Sequence, residues 1–334
     1  MPKKYGNGTI GRGSSMPLSP ALEFPPQQDQ ALRKARRLER LTIAYLASVV
    51  VVMFFSMGAS QAMKTAWMED MLGFIPPLVF LIATRIAIWP PNKRFPYGYH
   101  RVISIAFLCA SLALFTMGAW LLVDAVYKLI VAEHPTIGGV QIFGRTIWLG
   151  WLMIPALLYS SLPSMWLGRA KLPLAKTMHD KVLFADAAMN RADWQTALAA
   201  IAGIVGVGFG FWWADAAAAG LISFSVLYDG YRNLREVITN LMDEAPKKVG
   251  EDNTDPLPQQ LESLLLSRDW IVAASVRMRE QGHVYFGEAL IVVAPNFVGD
   301  LPQSLSELTD EATRYDWRIH DLVIAPVPQL PEEA

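Results

Sequence analysis

The chain has 334 residues, a formal net charge of −1, 53% hydrophobic against 18% charged residues, and a mean hydropathy of +0.27. That balance excludes an ordinary soluble globule and predicts a membrane protein, while the near-zero charge and lack of a dense basic tail argue against a nucleic-acid partner. The lone cysteine, Cys109, lies in an apolar run and excludes an intramolecular disulfide and any cysteine-only metal site.

Residues 1–32 are rich in Pro, Gly and polar residues and lack the apolar core of a signal peptide, so a disordered tail is expected. A transmembrane domain is expected over 33–245. Apolar stretches long enough to cross a bilayer fall near 41–60, 66–90, 102–131, 146–168, 182–210 and 213–240, which gives six helices. The segments "RKARRLER", "PPNKRFPYGYHR" and "GRAKLPLAKTMHDK" are basic, whereas those around "SMGASQ", "AEHPTIGGVQIFGR" and "GFGFWWAD" are not. By the positive-inside rule both termini are expected in the cytoplasm, and an even number of spans agrees with that; the cell (inner or plasma) membrane is the expected location.

From 250 to 328 the pattern becomes that of a soluble domain. "LPQQLESLLLSRD" has helical spacing at Leu261, Leu264 and Leu265; "WIVAASVRMRE" and "VYFGEALIVVA" alternate as strands around a "QGH" turn. "LPQSLSELTDEATRYD" reads as a second amphipathic helix and "WRIHDLVIAPV" as a last strand. The fold class is thus an α-helical integral membrane protein of six spans followed by a small cytoplasmic α+β domain in ferredoxin-like αββαβ order.

Ionisable side chains at bilayer depth are destabilising by roughly 2.5–3.5 kcal/mol each on insertion scales, so they mark an ion pathway or an internal pair. In the second span Glu69 and Asp70 precede Pro76 and Pro77, which must perturb the helix. In the fifth, Asp186, Met189 and Asp193 share one face, with Asn190 beside them. Two readings follow: a cation site built from this stripe and Glu69 or Asp70, or a salt-bridged core in which Arg191 and Lys64 balance the acids. The acidic excess favours the cation site. Asp124 and Asp215 are weaker signals, Asp215 reading equally well as a helix N-cap. His100, His134, His179, His283 and His320 all fall outside the spans, so a histidine-based zinc site at mid-membrane is not available.

The six spans, the "FPYGYHR" loop, the acidic second span, the aspartates of the fifth, the block "WADAAAAGLISFSVLYDGYRNLREVITNLMDEAP" and the trailing α/β domain together resemble the cation diffusion facilitator family over roughly residues 36–326. The resemblance implies a homodimeric exporter that exchanges a divalent metal (Mn, Fe, Co or Zn) for protons, with metal as substrate and no cofactor. It also implies a tetrahedral site of two His/Asp-xxx-Asp pairs. The fifth-helix pair falls on Met189 and Asp193; the second-helix pair falls on Glu69 and Gly73, or on Asp70 and Phe74 with a slip of one residue. The metal site is therefore expected among Glu69, Asp70, Asp186, Met189, Asn190 and Asp193, a mostly oxygen set that leans toward a harder ion than zinc.

Carboxylates rather than imidazole would then have to carry the protons, titrating as a coupled set. In the soluble domain the family's metal-binding positions fall on Leu290, Ala325 and Val327, which implies a dimerisation module without metal there. Arg101 and Asp243 occupy the places of a basic and an acidic residue that lock the family's dimer. The alternative is a non-transporting regulatory or scaffold subunit that keeps the fold. No nucleophile and base pair lies at bilayer depth, so an enzyme is not expected.

Overall fold

The structure, a computed structural model, describes residues 19–20, 22–132, 138–142, 145–251 and 253–331. Most of the expected tail, and His134, lie outside the described residues. The helices of the first part are α1 (Pro26–Ser56), α2 (Gln61–Leu72), α3 (Ile75–Ala87), α4 (Val102–Ile130), α5 (Gly150–Met178), α6 (Lys181–Gly208) and α7 (Ala214–Leu241), with a small hairpin of β1 (Gly139–Ile142) and β2 (Arg145–Trp148) before α5. Among the described residues three stretches, Pro26–Ser56, Gln61–Ala87 and Val102–Ile130, are long and apolar enough to cross a membrane, by length and composition.

Sequence and helix boundaries differ where local chemistry intervenes. The first helix starts at Pro26, well before the apolar run, with Pro at a first-turn position where its missing N–H is harmless. The expected 66–90 span is two helices. α2 ends at Leu72, the Gly73 N–H bonds back to the Glu69 and Met71 carbonyls, and Pro76 and Pro77 open α3. The prolines thus start a new helix instead of kinking an old one. Conversely, the basic stretch after 168, read as a loop, continues α5 to Met178 despite Pro155, Pro163 and Pro173, leaving only His179 and Asp180 before α6.

Packing runs chiefly through α4 against α7, α5 against α6 and α1 against α5, with α7 also touching α2 and α6. Glycines permit the closest approaches. A Cβ on Gly168 would sit 2.6 Å from the Ala187 carbonyl oxygen and 2.7 Å from the Arg191 nitrogen, so α5 and α6 meet backbone to backbone. Large apolar side chains face outward, among them Phe55, Trp120, Ile130, Leu221 and Phe224, all more than half exposed. Such a surface suits lipid, not water.

The C-terminal part runs α8 (Leu257–Leu266), β3 (Ile271–Gln281), β4 (Val284–Val293), α9 (Leu301–Tyr315) and β5 (Ile319–Pro326). Its sheet has the order β3-β4-β5, with β3 and β4 antiparallel and β4 and β5 parallel. Leu261 and Leu265 of α8 and Leu308 and Ala312 of α9 bury against Ala274, Tyr285, Ala289 and Leu322 of the sheet. Leu290 and Ala325 are register partners on adjacent strands, an apolar pair.

Candidate functional site

The break after Leu72 makes α2 short and puts Glu69 and Asp70 in its last turn. There the negative end of the helix dipole adds to their charge, a placement that disfavours anions and welcomes a cation. The other end of α2 is held from a distance. Asp215, fully buried at the start of α7, accepts from Ser60 Oγ at 2.6 Å, from the Ala62 N–H at 3.3 Å and from the Gln61 N–H. Ser60 itself caps Met63 at 3.1 Å. Asp215 thus takes up free amide donors at the start of α2, beside its N-cap Ser60, and not those of its own helix. Asp124 is neutralised by Lys128 at 2.6 Å, which also donates to Gln61 Oε1 at 2.6 Å.

A cavity of about 10 Å³, room for one water-sized particle, lies between α2, α4, α6 and α7; Glu69, Met189, Asp193, Thr196, Ser225 and Asp229 line it. Glu69 Oε1 receives a 3.3 Å bond from Thr196 Oγ1, while its Oε2 is buried with no partner among the described residues. Asp193 accepts from Ser164 Oγ. Asp70 stands to one side, accepting from Ser160 Oγ at 2.8 and 3.1 Å. Tyr45 of α1 donates toward the Tyr159 and Ser160 carbonyls, both at 2.6 Å, fixing that stretch of α5.

Of the six expected ligand positions, the structure brings Glu69, Met189 and Asp193 onto one cavity and leaves Asp70 on α5's serine. It takes Asp186 elsewhere. Lys171 Nζ lies 2.5 Å from Asp186 Oδ2 and 2.8 Å from Glu39 Oε2, and the three side chains are at most 4% exposed. Asn190 donates to Asp186 at 3.2 Å and accepts from Ser164 at 3.2 Å, so it belongs to the same hydrogen-bonded chain. Asp186 and Asn190 therefore do not face the cavity. The buried cation expected from Arg191 or Lys64 is Lys171 instead; Arg191 and Lys64 are both exposed. Among the described residues no three His, Cys, Asp or Glu side chains already converge on one metal-binding point.

Sequence reasoning missed Lys171, Glu39 and Asp229. Lys171 sat in a stretch read as a basic loop, and Glu39 in a basic run before the first expected span. Asp229 had a usable signal: it is an acid inside the sixth apolar stretch, with Ser225 one helical turn before it.

Four histidines gather where the helices meet the C-terminal part, all buried: His100, His179, His283 and His320. His283 Nδ1 lies 3.1 Å from the Met178 carbonyl oxygen, and its Nε2 3.5 Å from Asp180, the N-cap of α6. His179 Nε2 is 3.0 Å from the Tyr285 hydroxyl, which donates to Asp255 at 3.0 Å. The His100 and His320 rings are 4.6 Å apart. Burial, then the neighbouring His320 and His283, push His100 down to about 3. Burial likewise lowers His283, against the pull of Asp180. Glu280 is pushed up by burial, but His179, 3.6 Å away, and the Lys181 ammonium at 3.1 Å leave it below the usual carboxylate range. Arg101 meets Asp243 at 2.7 Å within one chain, and Arg279 reaches the same carboxylate at 3.3 Å. Within the chain, Arg101 and Asp243, the residues expected to lock a dimer, join the α3–α4 turn and the end of α7 to β3.

Among known proteins, residues 41–242 match the family described as the cation efflux transmembrane domain. The chain is 26% identical over 125 residues to a bovine (Bos taurus) protein named probable proton-coupled zinc antiporter, covering 36% of this chain and 29% of that protein. It is 25% identical over 201 residues to the manganese efflux system protein of Bacillus subtilis, covering 60% of this chain and 65% of that one. With a probable cation efflux system protein of Mycobacterium tuberculosis it shares 24% identity over 295 residues, 88% of this chain and 82% of the relative. The chain therefore spans less than a third of the zinc antiporter and just under two thirds of the manganese system protein. It is a transporter-family chain rather than an enzyme, and it belongs to the cation efflux family.

Proposed function

We propose that the protein exports a divalent metal cation across the membrane in exchange for protons, binding it between Glu69 and Asp193 at the small cavity beside α7. Six spans are formed by α1, the α2–α3 pair, α4, α5, α6 and α7. Both termini and the C-terminal domain are cytoplasmic, in the cell membrane. The observation that carries the reading is the electrostatics of Glu69: a buried carboxylate oxygen without a hydrogen-bond donor among the described residues, at the negative end of a helix and sharing a small cavity with Asp193. An enclosed anion so placed needs a proton or a cation. Exchange of one for the other is the transport step: metal binds from the inside to the ionised acids and leaves outside when they are protonated. Family relatives named for manganese efflux and for proton-coupled zinc antiport support the class of cargo.

The donor set favours a hard ion such as manganese, since its carboxylates and hydroxyls outnumber the single thioether of Met189. Asp70 serves as a neighbouring acid held by Ser160, and Asp186 is withdrawn from the ligand set by Lys171. The protein works as a homodimer, the C-terminal domain providing part of the contact. The test is Mn²⁺ uptake into proteoliposomes under a pH gradient. Asp193→Asn should abolish it, and unchanged uptake in that variant would overturn the site. The separation of the acids favours a second reading, a regulatory subunit that does not transport. That reading requires wild-type protein to show no metal uptake in the same assay.

A further inference from the structure

We infer that Asp229 of α7 is a direct ligand of the transported cation, so that the site draws one carboxylate from each of three helices: Glu69, Asp193 and Asp229. The inference rests on the reading of the cavity as a cation site.

Three observations carry it. First, the cavity wall contains Asp229 together with Ser225, one turn earlier on the same face of α7, opposite the Met189, Asp193 and Thr196 stripe of α6. Two helices thus present oxygen donors to one space of about 10 Å³. Second, Glu69 lines this cavity and its Oε2 is buried with no partner among the described residues, while the charges of Asp193, Asp70 and, least, Asp229 bear on it. Acids that repel one another across a small space, with one oxygen unserved among the described residues, are what a divalent cation relieves.

Third, α7 is held at this level with little freedom to turn Asp229 aside. A Cβ on Gly230 would stand 2.5 Å from the Phe115 backbone nitrogen, and one on Gly118 2.6 Å from that of Leu227. These two glycine contacts lock α7 onto α4 on either side of Asp229, fixing which face looks at the cavity.

The bland account is that Asp229 is a partner of Arg232, one turn further on and exposed. Among the described residues the two form no ion pair, whereas Asp229 does reach the cavity. The three acids do not yet converge on one point in this structure, so ligation requires Glu69 and Asp229 to rotate toward Asp193. Three carboxylates and two hydroxyls form an oxygen set suited to Mn²⁺, with little to attract Zn²⁺ beyond general affinity order.

The experiment measures equilibrium binding of Mn²⁺ and of Zn²⁺ to the full-length protein in detergent, for wild type, Asp229→Asn, Asp229→His, Asp229→Glu and Arg232→Gln. Asp229→Asn should weaken Mn²⁺ binding by about tenfold or more, since affinity at oxygen sites follows the number of ligand charges. Asp229→His should raise the Zn²⁺ to Mn²⁺ affinity ratio by about tenfold or more, because imidazole suits zinc. Arg232→Gln should leave Mn²⁺ binding within about twofold, as a group outside the oxygen set would. Wild-type affinity in Asp229→Asn, or an unchanged Zn²⁺ to Mn²⁺ ratio in Asp229→His, would overturn the inference. Should Asp229→Asn fail to fold, the Zn²⁺ to Mn²⁺ ratio in Asp229→His decides the matter, read against Mn²⁺ binding retained in both Asp229→Glu and Arg232→Gln. If wild type shows no metal binding sensitive to Asp193, the cavity is not a cation site at all, a failure distinct from binding that ignores Asp229.

Discussion

Replacing Lys171 by methionine removes the one cation between two buried carboxylates. In the structure Lys171 Nζ sits 2.8 Å from Glu39 and 2.5 Å from Asp186, with the three side chains at most 4% exposed, so solvent can compensate neither acid. Glu39 Oε1 is already without a partner among the described residues, leaving no spare donor on that side. Removing one member of a buried ionic group is destabilising by about 3–5 kcal/mol, while exchanging the whole group for apolar residues of similar volume is often neutral or stabilising. At about 1.4 kcal/mol per decade, the single change should lower the folded-to-unfolded ratio by roughly two to three and a half orders of magnitude.

The assay is unfolding in detergent followed by tryptophan fluorescence, comparing Lys171→Met with the combined Glu39→Leu, Lys171→Met, Asp186→Leu protein. The single variant should be the least stable, and the combined one should regain most of the loss. A single-variant effect under about 1 kcal/mol, or a combined variant worse than the single, would refute the reasoning that the triad is a buried, mutually dependent charge group.

Further consequences follow from packing, capping and titration. Gly168→Ala should destabilise by about 1–3 kcal/mol in the same unfolding assay, because its Cβ meets backbone atoms of α6 that have no flexible end to move. Asp215→Ala should destabilise by about 0.5–2 kcal/mol and fray the first turn of α2, seen as faster amide exchange at Gln61 and Ala62; Asp215→Asn should recover part of it. Docking of the C-terminal domain should weaken on acidification. His100 is held at about 3, below the ordinary histidine value, so its contribution is present above pH 6.5 and is lost as pH falls toward 3. Between pH 6.5 and 5.5 the loss is about 1 kcal/mol if undocking exposes the ring, because a free ring is already half protonated at pH 6.5. Burial of His283 acts in the same direction, whereas the lowered Glu280 acts below about pH 4.5, outside this window. Limited proteolysis between pH 7.5 and 5.5 should show increasing release of the domain, with a shallower pH dependence in His100→Gln.

Long apolar stretches betray their helices by hydropathy alone, and the trailing domain by a clean change of period, so the helical and mixed parts were legible in the sequence. Contacts between distant segments were not. Asp215 reads locally as the cap of its own helix, and only the tertiary approach of α7 to Ser60 turns it onto α2. The division of the second span was half visible: Pro76 and Pro77 announce a disturbance, but whether a helix kinks or restarts depends on Gly73 closing the turn. Asp186 and Asp193 share a helix face in the sequence, yet α5 divides them, with Lys171 claiming one and Ser164 the other. That outcome depends on the close crossing at Gly168, which no one-dimensional pattern contains. Asp229 went unnoticed because a lone acid followed by an arginine three residues later looks locally neutralised.

The most direct test of the account is simultaneous measurement of Mn²⁺ and proton flux in proteoliposomes holding the full-length protein. A pH gradient alone should drive Mn²⁺ movement against an opposing proton flux, and both should vanish together in Asp193→Asn. Proton flux that persists in Asp193→Asn, or Mn²⁺ movement indifferent to the pH gradient, would contradict it.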